Sequence, residues 1–347
     1  MTAFTLRDPN NIGVAVLGAG RMGRVHVRNL GAIPNANVIV VADPDAEAAE
    51  RGRELARARR SSADPMEALH DPDVDAVVIV TPTTTHASLI EAALRAGKAV
   101  WTEKPIAQEL SDTARIVDLW RETGIPVQVG FMRRFDPGYV RAKELIDAGA
   151  LGRIEQFRAL SRDTNPPPLE FLLTCGGSFL DMSVHDLDVA RFLVGEVEEV
   201  HAWASVLFDE RFAKADDWDT SVIMMKFRNG ALGVVETARH STWGYDIRAE
   251  VAGSVGKVVV DGGQKTPAVH FRNVATEGDL YGDFMDRFEV AYRRELEAFF
   301  QTLGEGGTPT PGPGDALETL RVAVAATRSC REGRPIRLDD VTADGPA

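Results

Sequence analysis

Ile12-Gly13-Val14-Ala15-Val16-Leu17-Gly18-Ala19-Gly20-Arg21-Met22-Gly23 is the stretch that decides the fold. A six-residue apolar run meets a GxGxxG turn, and the segment behind it, 21–30, has helix-forming composition. Each glycine has a separate task. Gly18 permits the tight turn, Gly20 lets the backbone approach a pyrophosphate, and Gly23 lets the helix pack closely on the strand. Arg21 and Met22 occupy the first helical turn, where unpaired N–H groups face an anion. Alone the motif is weak, but between a strand and a helix it predicts a dinucleotide site.

The pattern continues outward from that turn. Apolar runs at 38–42, 76–81, 99–102 and 126–131 alternate with helical stretches at 45–58, 85–96 and 109–123. Runs of Val and Ile without polar alternation suit strands covered on both faces, hence a parallel sheet with right-handed crossovers. The weak segment 57–62 is placed as an edge strand. Beyond residue 130 the strand candidates lengthen, at 153–161, 197–207, 220–228, 231–240, 246–251 and 257–260. Val222, Met224 and Lys226 alternate with Ile223, Met225 and Phe227, which predicts an antiparallel sheet. Helices at 284–303 and 315–331 close the chain. The expectation is an α/β chain: a doubly wound parallel sheet over residues 1–130, then an α+β domain with an open, largely antiparallel sheet over 131–347.

Composition narrows the function. The 347 residues carry 39 Lys plus Arg against 52 Asp plus Glu, a net charge of −13. Such an acidic chain is a poor binder of nucleic acid or anionic lipid. The two cysteines, Cys175 and Cys330, form no metal-binding or disulfide framework, and no metal site is expected. No membrane-length apolar run and no signal-like N-terminus occur, which points to the cytoplasm.

Candidate site residues gather at the carboxyl ends of the predicted strands, where ligands bind in such folds. Asp43 closes the second strand and can accept both ribose hydroxyls of adenosine while repelling a 2′-phosphate. With no basic residue between it and Arg51, NAD is favoured over NADP, although Arg21 argues the other way. Thr81 and Pro82 end the fourth strand beside the nicotinamide channel, and His86 behind them reads as a loop-fixing member of the cofactor site. Glu103-Lys104-Pro105 follows the fifth strand, with Lys104 aimed into the crevice and Pro105 open to a cis bond.

Farther on, Ser178 is a candidate N-cap for a helix carrying Asp181 and His185 at i and i+4. A carboxylate one turn from an imidazole orients it and stabilises its protonated form, as a general base near neutral pH requires. Such pairs are often structural. Combined with a dinucleotide site and a lysine, they read as a dehydrogenase. His185 is the base, Asp181 its orienter, and Lys104 the donor to the reacting oxygen.

The GxGxxG turn, Glu103-Lys104-Pro105 and Asp181-x-x-x-His185 occur in the order found in the glucose–fructose oxidoreductase, inositol dehydrogenase and MocA family, which the whole chain resembles. Gly130-Phe131-Met132-Arg133-Arg134-Phe135-Asp136, Ser161-Arg162-Asp163-Thr164-Asn165-Pro166 and Trp243-Gly244-Tyr245-Asp246 resemble its inositol 2-dehydrogenase branch. The resemblance implies catalytic roles for Lys104, Asp181 and His185. It also implies polyol contacts from Met132, Arg133, Asp163 or Asn165, Trp243 and Tyr245, and an open sheet used for oligomer contacts, commonly in tetramers. Trp243 stands where some relatives carry tyrosine, and Asn165-Pro166-Pro167-Pro168 reshapes the pocket rim. The function expected is NAD-dependent oxidation of a ring hydroxyl of myo-inositol or a related isomer. The alternatives are a pyranose or other cyclic-sugar dehydrogenase, and a non-catalytic dinucleotide sensor.

Overall fold

A computed structural model describes residues 4–343. It separates into two compact units, one of residues 4–132 with 290–318, the other of residues 133–289 with 319–343. The sequence reading assigned 290–318 to the second domain; these residues pack into the first.

The first unit is built on six parallel strands: β1 (Ile12–Leu17), β2 (Ala36–Ala42), β3 (Arg60–Ser62), β4 (Ala76–Ile79), β5 (Ala99–Glu103) and β6 (Val127–Gly130). Their order is β3-β2-β1-β4-β5-β6, so the crossovers reverse direction between β1 and β4. Every residue of β1 and β4 is buried, as the unbroken apolar runs require. The polar β3 is three residues long and lies at the edge. Val14, Val16, Val78 and Trp101 pack against Leu296, Phe299, Phe300 and Leu303 of the helix Glu289–Gly304. That apolar stripe is why the late helix belongs here: each such side chain contributes roughly 1.5–3 kcal/mol when buried.

The second unit holds β7 (Ile154–Arg162), β8 (Val197–Ser205), β9 (Thr220–Phe227), β10 (Leu232–Ala238), β11 (Asp246–Gly253), β12 (Lys257–Val260), β13 (Val269–Arg272), β14 (Ala275–Gly278) and β15 (Ile336–Arg337). Seven of them form one sheet in the order β12-β11-β7-β10-β9-β8-β15. Its pairs are antiparallel except β7 with β10. Along β9, Ile223, Met225 and Phe227 are buried, while Val222, Met224 and Lys226 face out. The exposed hairpin β13–β14 and the two-residue β15 escaped the sequence reading: each strand has four residues or fewer, and the hairpin buries none of its own. The expected helix 284–303 breaks into Phe284–Arg287 and Glu289–Gly304.

Candidate active site

In the first unit the glycine turn has the geometry its sequence implies. Gly18 takes φ +101°, and a Cβ there would sit 2.6 Å from the Val80 carbonyl oxygen. A Cβ on Gly23 would lie 2.2 Å from the Gly18 carbonyl oxygen, so helix and strand touch backbone to backbone. Over Gly20 no atom lies within 4 Å of the corresponding point. The helix Arg21–Leu30 carries no side-chain cap and no acidic residue in its first turn. An open cradle at an uncapped helix N-terminus fits the pyrophosphate of a dinucleotide. Arg21 is exposed and Met22 half-buried beside it.

Asp43 follows β2. Its Oδ2 accepts the Ala19 amide at 2.7 Å and its Oδ1 the Asp45 amide at 2.9 Å, tying the strand end to the glycine turn. Each oxygen retains a lone pair for a ribose hydroxyl. At the end of β4, Thr85 donates to the Thr81 hydroxyl at 2.7 Å, and Pro82 is exposed. His86 is buried, with Nδ1 at 2.8 Å from the Pro105 carbonyl oxygen and Nε2 at 2.8 Å from that of Thr81. Burial lowers its pKa despite both carbonyls. The ring therefore sits between two strand-end loops from inside, the loop-fixing position, with one N–H to donate to either carbonyl when neutral.

Lys104 and Pro105 are joined by a cis bond. Glu103 secures the turn: its Oε2 accepts the Lys104 amide at 3.2 Å, and its Oε1 lies 2.9 Å from His26 Nε2. Met132 is buried at the limit of this unit, in the short 3-10 segment Met132–Phe135.

In the second unit Asp181 lies on a π-helical turn, Phe179–Ser183, leading into the α-helix Val184–Val194 that carries His185. The expected regular helix is thus wound one residue wider at its start. Ser178 stands at its N-cap position but makes no capping hydrogen bond: its hydroxyl donates to Asp217 at 2.9 Å, and its amide donates to the other oxygen of that carboxylate.

Arg239, beyond the end of β10, is the residue the sequence reading missed. It is 4% exposed, and its Nη2 donates to Asp181 Oδ2 at 2.7 Å. Its Nη1 reaches Asp163 Oδ2 at 3.4 Å. Burial alone would lower the pKa of this arginine, yet the two carboxylates carry it upward. Asp163 moves up from its ordinary range, because burial outweighs the pull of Arg239. Arg239 thus joins two of the predicted site residues. Its signal was parity: Val235, Thr237 and Arg239 share the buried side of one strand direction.

Arg133 is enclosed. Its Nη1 donates to Asp186 at 2.6 Å and its Nη2 to the Ser161 hydroxyl at 3.2 Å. Tyr245 is buried edge-on to Phe288, with its pKa raised chiefly by burial. Trp243 is 55% exposed, and its indole N–H donates to Asp246 at 3.2 Å beside a cavity of about 380 Å³. Asn165 lies exposed in the loop after β7.

Residues 12–131 match the profile of an oxidoreductase family, NAD-binding Rossmann fold, and residues 143–338 match the C-terminal alpha/beta domain of the same family. The chain belongs to the Gfo/Idh/MocA oxidoreductase family. Within it, the chain is 40% identical to the scyllo-inositol 2-dehydrogenase (NAD(+)) of Bacillus subtilis, over 95% of this chain and 97% of that one. It is 36% identical to the myo-inositol 2-dehydrogenase of Thermotoga maritima, over 94% and 99%. A crystal structure of scyllo-inositol dehydrogenase from Lactobacillus casei with bound NAD(H) and scyllo-inositol superposes with a TM-score of 0.89 at 26% identity, covering 95% of this chain and all of that one. Both family domains are therefore present, and no described helix is long and apolar enough to cross a membrane.

Proposed function

We propose that this oxidoreductase is an NAD-dependent inositol 2-dehydrogenase, oxidising a secondary ring hydroxyl of myo-inositol or a close isomer to the ketone. The observation that carries the reading is the Arg239–Asp181 ion pair, which places a carboxylate bound to a buried guanidinium one turn ahead of His185. The names of the relatives supply the substrate class.

Removing two hydrogens from a secondary alcohol needs a hydride acceptor, a proton acceptor and a donor to the oxygen. Nicotinamide, when bound, supplies the first. His185 accepts the hydroxyl proton, and Asp181 orients the ring and offsets the charge it gains. Lys104 donates to the reacting oxygen and stabilises developing alkoxide character. Gly18, Gly20, Arg21, Met22 and Gly23 cradle the pyrophosphate, Asp43 takes the adenosine ribose, and Thr81, Pro82 and Glu103 border the nicotinamide end. Asp163 and Tyr245 hold ring hydroxyls, Met132, Asn165 and Trp243 contribute around them, and Arg133 supports the pocket from within.

Asp43 favours NAD over NADP, since a carboxylate repels a 2′-phosphate. The same proposal includes a cytoplasmic homo-tetramer. Trp203, Val222, Met224 and Leu232 leave an apolar stripe on the outer side of β8, β9 and β10, suited to a second copy of the chain. The test is turnover of myo-inositol, scyllo-inositol and glucose with NAD and with NADP. Inositol oxidation with NAD is expected; glucose oxidation without any inositol turnover would transfer the assignment to a cyclic-sugar dehydrogenase.

A further inference from the structure

Glu295 is fully buried in the first unit, and both of its carboxylate oxygens lack a hydrogen-bond partner. An ionised carboxylate in that state would be heavily penalised. It lies on the helix Glu289–Gly304, whose backbone is tied to β6 where Gln128 donates to the Glu295 carbonyl at 2.8 Å. The titratable groups around it are His26 from the helix Arg21–Leu30, Glu103 from the end of β5 and Tyr292 on its own helix. One donor atom each from His26, Glu103 and Glu295 lie within 4.8 Å of one another. His26 is itself wedged between Trp101, at 4.5 Å between ring centres, and Tyr292, at 5.9 Å.

We propose that Glu295 is a positioning residue that carries a proton in the folded chain and, through Glu103, fixes the Glu103-Lys104-Pro105 turn. The inference rests on the catalytic reading of Lys104 given above. A second carboxylate, Glu103, stands beside Glu295, and among the described residues no guanidinium or ammonium hydrogen-bonds the buried member, so the charge of Glu103 disfavours ionisation of Glu295. Burial and the Glu103 charge both raise the Glu295 pKa, in keeping with this arrangement. The remaining hydrogen bonds of Glu103 point along the chain of effect. Its Oε1 meets His26, and its Oε2 takes the Lys104 amide. Protonated Glu295 leaves a single negative charge for this cluster, so Glu103 keeps its grip on the lysine backbone. An ionised Glu295 would repel Glu103 and loosen the turn.

Four measurements on the full-length protein decide it, comparing wild type with Glu295→Gln and Glu295→Met, both neutral at every pH. Wild type binds a proton on folding above the pKa of an unfolded glutamate, so its stability falls relative to Glu295→Gln as pH rises from 5 to 8, by up to about tenfold per pH unit in the folding equilibrium. Parallel pH profiles would overturn the proton. Hydrogen exchange of the Lys104 amide, normalised to its intrinsic pH dependence, should accelerate about tenfold or more in wild type as Glu295 ionises at high pH and stay level in Glu295→Gln and Glu295→Met; parallel profiles in all three would overturn the positioning role. Elemental analysis should find no stoichiometric divalent metal in purified wild type; a metal lost in Glu295→Gln would replace the proton by a cation. On myo-inositol, the wild-type kcat should fall above the pH at which Glu295 ionises, with KM for NAD within about threefold, and that fall should be absent in Glu295→Gln. If wild type oxidises no inositol, the substrate assignment fails while the exchange and stability measurements still judge Glu295.

Discussion

Arg239 donates to Asp181 at 2.7 Å and lies 3.4 Å from Asp163, so one buried guanidinium serves two carboxylates of the second unit. Replacing it by leucine removes the guanidinium that binds both carboxylates, and their mutual repulsion then favours uptake of a proton. Activity in Arg239→Leu should fall by about tenfold to a hundredfold, and its acid limb should move to higher pH, because burial already raises Asp163 and loss of the guanidinium removes what holds it down. A pH series of kcat/KM reads this directly. An unshifted acid limb would mean that the arginine does not govern these carboxylates.

Lys104→Ala removes a donor to the oxygen where charge develops. A loss of about 10²-fold or more in kcat is expected, in the range found for single oxyanion donors. The glycine turn and Asp43 lie on other strand ends, so NAD affinity, measured by titration of protein fluorescence, should change by no more than about threefold.

Asp43→Ser tests the coenzyme preference. A charge-assisted hydrogen bond is worth about 1.5–3 kcal/mol, so the ratio of kcat/KM for NAD over NADP should drop by roughly tenfold to a hundredfold. The Asp43–Ala19 bond is lost as well, and a modest fall in overall affinity accompanies the switch.

The Arg133–Asp186 pair is buried on both sides, at 3% and 0% side-chain exposure. Asp186→Ala strands the guanidinium without its counter-charge. Such half-deletions cost about 3–5 kcal/mol, and the expected result is a clear drop in the thermal midpoint with the secondary structure retained in the survivors. Circular dichroism melts at fixed protein concentration follow it.

Met224→Glu places a charge in the outward apolar stripe of β9. The substitution should lower the assembly state seen by light scattering without unfolding the chain, because the Met224 side chain contributes nothing to the interior of that sheet.

Much of this was legible in the sequence because the signals were local. Strand β1 and its glycine turn are contiguous, and each glycine answers a requirement a few residues away. The pieces that escaped depend on what a side chain meets across the fold. Glu295 reads as one charge among many in Arg293-Arg294-Glu295-Leu296-Glu297. Only its spacing from Ala291 and Phe299, four residues either way, places it on the apolar face. Arg239 was likewise hidden in the strand candidate 231–240, whose alternation was not followed. The π turn at Phe179–Ser183 has no compositional mark, since residues that suit a wide turn also suit an α-helix.

The late helix that completes the first unit has a consequence for biosynthesis. Leu296, Phe299, Phe300 and Leu303 emerge from the ribosome long after β6, and until they arrive the strands they cover expose an oily wall to solvent or to a chaperone. A fragment ending at residue 132 should therefore be sticky and unstable, whereas splicing 290–318 onto it should yield a soluble nucleotide-binding half. Vectorial folding, with the early half finished before translation ends, is closed to this chain.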